Sequence, residues 1–417
     1  MLVIKRVCSS IPKPVSMTRN TLFNTFGCLA YQGCMWVTTV LVVLLSGYES
    51  SGVLAYAMAV GNIFLSIASF NIRVYQVSDT SNSIAAGGYL IFRLITICLS
   101  FGLMVPYTVA TTVDPALIIP VVAFLLFKMD EAFVDVLYGI DQKAGRMDYI
   151  GISQLTRGVG ILLTFTISLK LTHSIVVAFT SMFVMGLIVT FGYDLPHALR
   201  FGDLRLQLSF DNFKQLLFDG FPIVLSITLY NAITSTVRQE FGNQFGTEAL
   251  GLYAAVATPA VLVQAAARYF YSPILVPLSD SEARGDRRGF INAYRSTLVR
   301  IGFIGIASLL ILMLVGPFLL AKVYGETILQ YLYLIPGVVL CTFALAFVNF
   351  LLDILTIMRD MRFGLVFSIL GLIVATLSSR WMIPTYYMNG INCSILMGAL
   401  TVFVLSAIRV HSLSKRW

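Results

Sequence analysis

Twelve apolar stretches divide this 417-residue chain, and its Lys and Arg residues fall almost wholly in alternate connections between them. With the N-terminus placed inside, 17 of the 28 basic residues lie at inner ends and loops, 4 at outer ends and 7 within the stretches. Basic residues are retained on the cytoplasmic side of a membrane, so one pattern constrains both the number of crossings and their direction. Few folds are compatible with it. A β-barrel would show alternating segments of about 10 residues in place of continuous apolar runs. A soluble domain would not carry 58% hydrophobic and only 12% charged residues.

A hydrocarbon core of roughly 30 Å, crossed at about 1.5 Å per residue, calls for helices of some 20 residues. The stretches read as spans at 22–46, 52–74, 86–109, 115–140, 148–170, 173–194, 212–236, 250–277, 293–321, 328–356, 363–383 and 390–410. The chain is therefore expected to be an all-α polytopic membrane protein with both termini cytoplasmic and no room for a soluble domain. The net charge of +8 reflects Lys5, Arg6, Lys13, Arg19, Lys415 and Arg416. These flank spans and form no continuous patch, so membrane lipids are expected partners and nucleic acid is not. The polar first 20 residues lead into a full-length span, which is not the pattern of a cleavable signal peptide. Five of the six cysteines lie within apolar spans and read as small packing residues. His173, His197 and His411 have no partner at metal-ligand spacing, so neither a metal nor a cofactor is expected.

The turn Gly47-Tyr-Glu49-Ser-Ser-Gly52-Val-Leu-Ala55 recurs 199 residues later as Gly246-Thr-Glu248-Ala-Leu-Gly251-Leu-Tyr-Ala254, with four identities in nine positions. Each copy sits between the first and second spans of a six-span half. An even number of spans per half makes the halves parallel repeats, a plan common in transporters, where the substrate path lies at the repeat interface. The expected organisation is an N-terminal six-helix lobe over 1–195, a cytoplasmic linker over 196–211 containing His197, Arg200, Asp203 and Arg205, and a C-terminal six-helix lobe over 212–417.

Ionisable residues inside spans cost several kcal/mol unless they face a polar cavity or a partner, so each is a functional candidate. Along the fourth span, Lys128, Glu131 and Asp135 share one helical face while Asp130 points aside. Arg157 lies in the fifth span six residues beyond Gly151, Arg93 about two turns into the third, Arg268 late in the eighth and Arg300 about two turns into the ninth. One reading pairs Lys128 with Glu131 and Arg157 with Asp135, and lets Arg73 and Arg295 snorkel to the interface. In the other, Arg93, Arg157, Arg268, Arg300 and Lys128 bind an anionic substrate, because four buried arginines outnumber the acids left after Asp130, Glu131, Asp135, Asp219 and Asp353 are shared out. Arginine suits phosphate because its planar fork donates two hydrogen bonds. Asp130, Glu131 and Asp135 are the candidates for coupling to H⁺ or Na⁺. Proline or glycine interruptions at Gly220-Phe-Pro222, Thr258-Pro259 and Ile335-Pro336-Gly337 read as hinges or kinks inside spans seven, eight and ten.

No catalytic constellation is present. The chain has no Gly-x-Ser-x-Gly, no Walker-type phosphate loop and no His-Glu-x-x-His. An enzyme is not expected, and energy has to come from a gradient or from the substrate's own concentration difference.

Several segments resemble a known family. Phe221-Pro222 through Leu229-Tyr230, Arg238, Gly246-x-Glu248-x-x-Gly251-x-Tyr253-Ala254-Ala255, Pro273 through Pro277-Leu278-Ser279 and Glu282-Ala-Arg-Gly285-Asp286 are similar to the second-half signature of polysaccharide-exporting flippases of the multidrug/oligosaccharidyl-lipid/polysaccharide superfamily. The first half agrees at Gly47-x-Glu49-x-x-Gly52, at Tyr138-Gly139-x-x-Gln142-x-x-x-Arg146-Met147-x-Tyr149, and at Gln154 and Arg157. The turn Pro384 to Asn389-Gly390-Ile-Asn392 also matches. Relatives often carry an acidic residue just before the arginine matching Arg238, where this chain has Val237.

The resemblance covers nearly the full length and implies two six-helix lobes forming a V-shaped central cavity that opens alternately inward and outward. It implies a cargo of undecaprenyl-pyrophosphate-linked glycan carried to the outer face of a bacterial inner membrane for O-antigen or exopolysaccharide synthesis. The polysaccharide polymerase machinery is then a further partner. A multidrug cation antiporter of the same superfamily is the alternative, and would want an acidic cavity without surplus arginine. A membrane polysaccharide polymerase would want a large outer loop, whereas here only 237–249 is long among the outer connections.

Overall fold

The computed structural model describes residues 16–79, 83–201, 207–271, 274–358 and 360–414, with side chains at all of these except 17, 21, 78, 261–270, 276 and 283. The described residues are helical nearly throughout and contain no strand. In order, the helices are α1 (Met17–Ser69), α2 (Ile72–Ser78), α3 (Ala86–Thr111), α4 (Ile118–Lys143), α5 (Met147–Thr172), α6 (Ile175–Val189), α7 (Leu195–Phe201), α8 (Phe210–Tyr271), α9 (Leu275–Ala283), α10 (Arg287–Tyr324), α11 (Ile335–Ile357), α12 (Met361–Tyr386) and α13 (Met388–Ser414). A π turn, Thr190–Asp194, joins α6 to α7, and a 3₁₀ stretch, Glu326–Leu334, leads into α11.

Nine continuous helical stretches among the described residues are long and apolar enough to cross a membrane. Two of them contain a break at a glycine. Gly47 interrupts α1 at φ 78°, ψ −178°, and Gly246 interrupts α8 at φ 84°, ψ 170°. These are the two copies of the repeated turn, and they share one backbone conformation that only glycine adopts without strain. Each break divides its helix into two arms. α4 has the length of a span but carries Lys128, Asp130, Glu131 and Asp135 near its middle. With nine long apolar helical stretches among its described residues, the protein is an all-α, multi-pass membrane protein.

The chain divides into two compact units, Met1–Val224 and Leu225–Trp417. In the first, α1 and α5 approach so closely that a Cβ on Gly27 would strike the Gly151 backbone, and one on Gly151 would strike the carbonyl of Phe23. In the second, Gly371 of α12 and Gly398 of α13 face each other, a Cβ on either lying 2.8–2.9 Å from the other's carbonyl oxygen. Small residues at such contacts are how helices associate where lipid tails remove the hydrophobic drive. Large apolar side chains correspondingly point outward, among them Leu163 and Leu171 on α5 and Leu310, Leu314 and Phe318 on α10.

Some helices run past the bounds expected for the spans. The connection read as 195–211 is helical as far as Phe201, and much of that read as 278–292 belongs to α9 and to the start of α10. Hydrocarbon thickness sets a minimum length for a span and places no upper limit on a helix whose end is wet. Pro336 also differs from expectation. It occupies the first turn of α11 and kinks nothing, because an N–H missing there has no helical partner to lose.

Candidate functional site

α4 is the hub of the first unit, buried on nearly every side, with Phe124, Phe127, Ala132 and Val136 fully enclosed. Its charges are met by helices all round it. Lys128 Nζ donates to Glu131 Oε2 at 2.6 Å, and the Tyr31 hydroxyl of α1 donates to Glu131 Oε1. Arg93 of α3, 0% exposed, donates from Nη2 to Asp135 Oδ2 at 2.7 Å and from Nη1 to the carbonyl of Ala68 at 2.9 Å. Arg73 of α2 reaches Asp135 Oδ1 at 3.4 Å and holds Gln142 Oε1 with two donors, at 2.8 and 3.0 Å.

The side of α4 that carries Asp130 faces α5 and α6. Arg157, 2% exposed, donates from Nη1 to Asp130 Oδ2. Its Nη2 donates to Thr190 Oγ1 at 2.5 Å and to the Gly186 carbonyl at 3.4 Å, and lies 3.6 Å from Asp194 Oδ2. Thr190 in turn donates to Asp130 Oδ1 at 2.8 Å, closing a ring of contacts. The π turn places Thr190 and Asp194 at its two ends and brings both to Arg157, a use such turns often have at functional positions. Gly186 clears the space, since a Cβ there would meet both Asp130 and the Arg157 guanidinium.

Six of the expected site residues, Arg93, Lys128, Asp130, Glu131, Asp135 and Arg157, therefore assemble in the first unit, and each basic one has a carboxylate partner. Asp130, expected to point aside from the charged face, is the principal partner of Arg157, and Asp135 instead serves Arg93 and Arg73. Sequence reasoning missed Asp194 and Asp141, both at most 2% exposed; one oxygen of Asp141 is buried without a hydrogen-bond partner. They stood at the ends of the spans as read from sequence, where a carboxylate looks solvated, and the longer helices bury them.

The second unit is different. Arg238 of α8 is half-buried, its Nε is enclosed with no hydrogen-bond partner, and its guanidinium stands 5.9 Å from the centre of the Tyr253 ring. No carboxylate pairs with it among the described residues. The position before it is the fully buried Val237. Tyr253 is anchored from behind, its hydroxyl donating to Asn392 Oδ1 at 2.8 Å. Arg238 lies eight residues, about 12 Å at 1.5 Å per residue, from the Gly246 break. Arg300 of α10 is exposed and also has no carboxylate partner among the described residues. The side chain of Arg268 lies outside the described residues. No group of three or more His, Cys, Asp or Glu among the described residues could hold a metal ion.

No family model matches the chain. A Staphylococcus aureus protein described as capsular polysaccharide biosynthesis protein CapF is 24% identical over 300 residues, which cover 70% of this chain and 74% of that protein. Among solved structures, the inward-facing conformation of a multidrug resistance MATE family transporter of the MOP superfamily superposes with a TM-score of 0.71 at 14% identity, covering 94% of this chain and 96% of the other. The eukaryotic MATE transporter AtDTX14 gives 0.69 at 11% identity, covering 96% and 98%. The chain has the fold of these transporters.

Proposed function

We propose that the chain is a flippase that moves undecaprenyl-pyrophosphate-linked oligosaccharide units from the cytoplasmic to the outer face of a bacterial inner membrane by alternating access, for surface polysaccharide synthesis. The observation that carries this reading is Arg238, a half-buried cation on α8 beyond the outer end of the seventh span, with an enclosed donor and no carboxylate partner among the described residues. Enclosing such a charge is costly, and it is kept where a ligand completes it. A pyrophosphate does so with geometry that matches the guanidinium fork. The capsule protein that shares 24% of its residues over most of the chain supports a glycan cargo. In this reading the ion pairs of the first unit fix its helices, and protonation or cation binding at Asp130, Glu131 or Asp135 is the step that loosens them.

Cells lacking the protein are expected to accumulate the lipid-linked glycan, with its sugars facing the cytoplasm, and to lose surface polysaccharide. Normal surface polysaccharide in such cells would count against the reading. A second reading, ion-coupled export of cationic drugs, is favoured by the buried carboxylates Asp141 and Asp194. It predicts increased drug sensitivity in the same cells with no change in lipid-linked glycan.

The proposed orientation follows from the 17-to-4 distribution of basic residues. A cysteine replacing Thr247, beside the Gly246 break, should react with an impermeant thiol reagent from outside. One replacing Gly285, between α9 and α10, should not. The opposite preference would reverse the topology.

A further inference from the structure

Phe245 stands seven residues beyond Arg238 on α8, with Phe241 between them, and the helix is regular up to its break at Gly246. At about 100° per residue Phe245 returns to within about 20° of the Arg238 direction, about 10 Å further along the axis. One stripe of α8 therefore carries the guanidinium and then two rings. A third ring comes from the junction of α12 and α13. Tyr387 stands 4.9 Å from Phe245, with the ring planes 82° apart, and 5.5 Å from Phe241, while Phe241 and Phe245 are 5.3 Å apart. Phe241 is fully buried and backs the other two, each of which is 39% exposed. Phe245 and Tyr387 thus form two walls of an open aromatic corner.

Tyr387 is held there under strain. Its backbone sits at φ 54°, ψ −127°, a conformation that glycine enters freely and a bulky side chain does not. Strained residues of this kind gather at ligand-binding sites. An aromatic belt at a membrane interface asks only for rings at headgroup depth; it does not ask that they converge or that one be strained. Polar groups border the corner. Partial burial, followed by the nearby Tyr331, Tyr333 and Glu248, holds the Tyr387 hydroxyl above its ordinary pKa, so it remains a donor at neutral pH. Glu248 is exposed, and in the neighbouring row of α8 the Gln244 amide donates to Glu240 Oε1 at 2.6 Å. Aromatic faces beside carboxylates and an amide suit a sugar. The C–H face of a pyranose carries slight positive charge and rests on the negative face of a ring, and its hydroxyls donate to carboxylate oxygens. An acyl chain has no use for these acids, and an anionic headgroup is repelled by them. We propose that this corner is a sugar subsite, which seats the first sugars of the glycan while their pyrophosphate lies on Arg238. The proposal rests on the flippase reading for what Arg238 holds.

Binding of undecaprenyl pyrophosphate and of its disaccharide-bearing form to full-length protein in nanodiscs, compared by native mass spectrometry, tests it. The disaccharide should raise affinity about three- to tenfold, the worth of one good ring contact. Phe245→Ala and Tyr387→Gly should each remove most of that gain and leave binding of the bare pyrophosphate lipid as it was. Phe245→Tyr, which keeps a ring, should keep the gain. Tyr387→Gly also releases the backbone strain, so its melting temperature should stay at the wild-type level while the gain is lost. A disaccharide that adds nothing to wild-type affinity would overturn the proposal. So would variants that weaken both lipids alike, as interfacial anchors would, or a Tyr387→Gly protein that melts far below wild type while Phe245→Ala keeps the gain. Arg238→Ala reports separately on the flippase reading. If it weakens binding of both lipids and the disaccharide adds nothing, the pyrophosphate site stands without the subsite; if the gain is present and Arg238→Ala changes nothing, the subsite stands without that site.

Discussion

Export of surface polysaccharide is expected to fall roughly ten- to hundredfold when Arg238 is replaced by alanine, the factor carried by a hydrogen bond to a charged group worth about 1.5–3 kcal/mol. The amount of folded protein should not fall with it. Arg238 has no carboxylate partner among the described residues and an enclosed Nε without an acceptor, so its removal strands no opposite charge and relieves a desolvation cost. Loss of function with undiminished stability separates a ligand-binding arginine from a structural one. Arg238→Lys should fall between wild type and alanine, because it keeps the charge and loses the two-pronged contact. Surface polysaccharide measured against membrane-embedded protein reads the effect, and normal export by Arg238→Ala would remove Arg238 from the substrate's path.

Arg157→Leu should show the opposite pattern. It leaves Asp130 and Asp194 buried together with no cation between them, and breaking a buried pair in this way costs about 3–5 kcal/mol. The protein is expected to accumulate poorly and to unfold at markedly lower temperature in detergent. Arg157→Lys should rescue little, since one ammonium cannot reach Asp130, Thr190 and the Gly186 carbonyl at once. Combining Arg157→Leu with Asp130→Asn should recover part of the loss by removing one of the stranded charges. Arg157→Leu protein with wild-type thermal stability would show that this network does not hold α4, α5 and α6 together.

The long apolar helices were legible because bilayer thickness acts on local sequence. The repeated turn was legible for a similar reason: Gly47 and Gly246 adopt a backbone conformation that leaves a residue-level mark. The ion pairs were legible only where both partners share a helix, as Lys128 and Glu131 do. Helical spacing tells which residues share a face and says nothing of which helix packs against that face, so Arg157 could not be assigned between Asp130 and Asp135. Asp194 was harder still. Its approach to Arg157 depends on a five-residue π turn and on α6 continuing through it, and neither feature follows from hydropathy. Arg238 was visible as part of a family-like segment, but that it lacks a carboxylate partner is a property of its neighbours and could be seen only in three dimensions.

The most direct test of the account is translocation of a fluorescent undecaprenyl-pyrophosphate-linked oligosaccharide in proteoliposomes, scored as the fraction that moves out of reach of an impermeant quencher. The account predicts time-dependent movement with the wild-type protein, and movement reduced toward that of protein-free vesicles with Arg238→Ala protein reconstituted at equal density. Wild-type vesicles that move the lipid-linked glycan no faster than protein-free vesicles would contradict it.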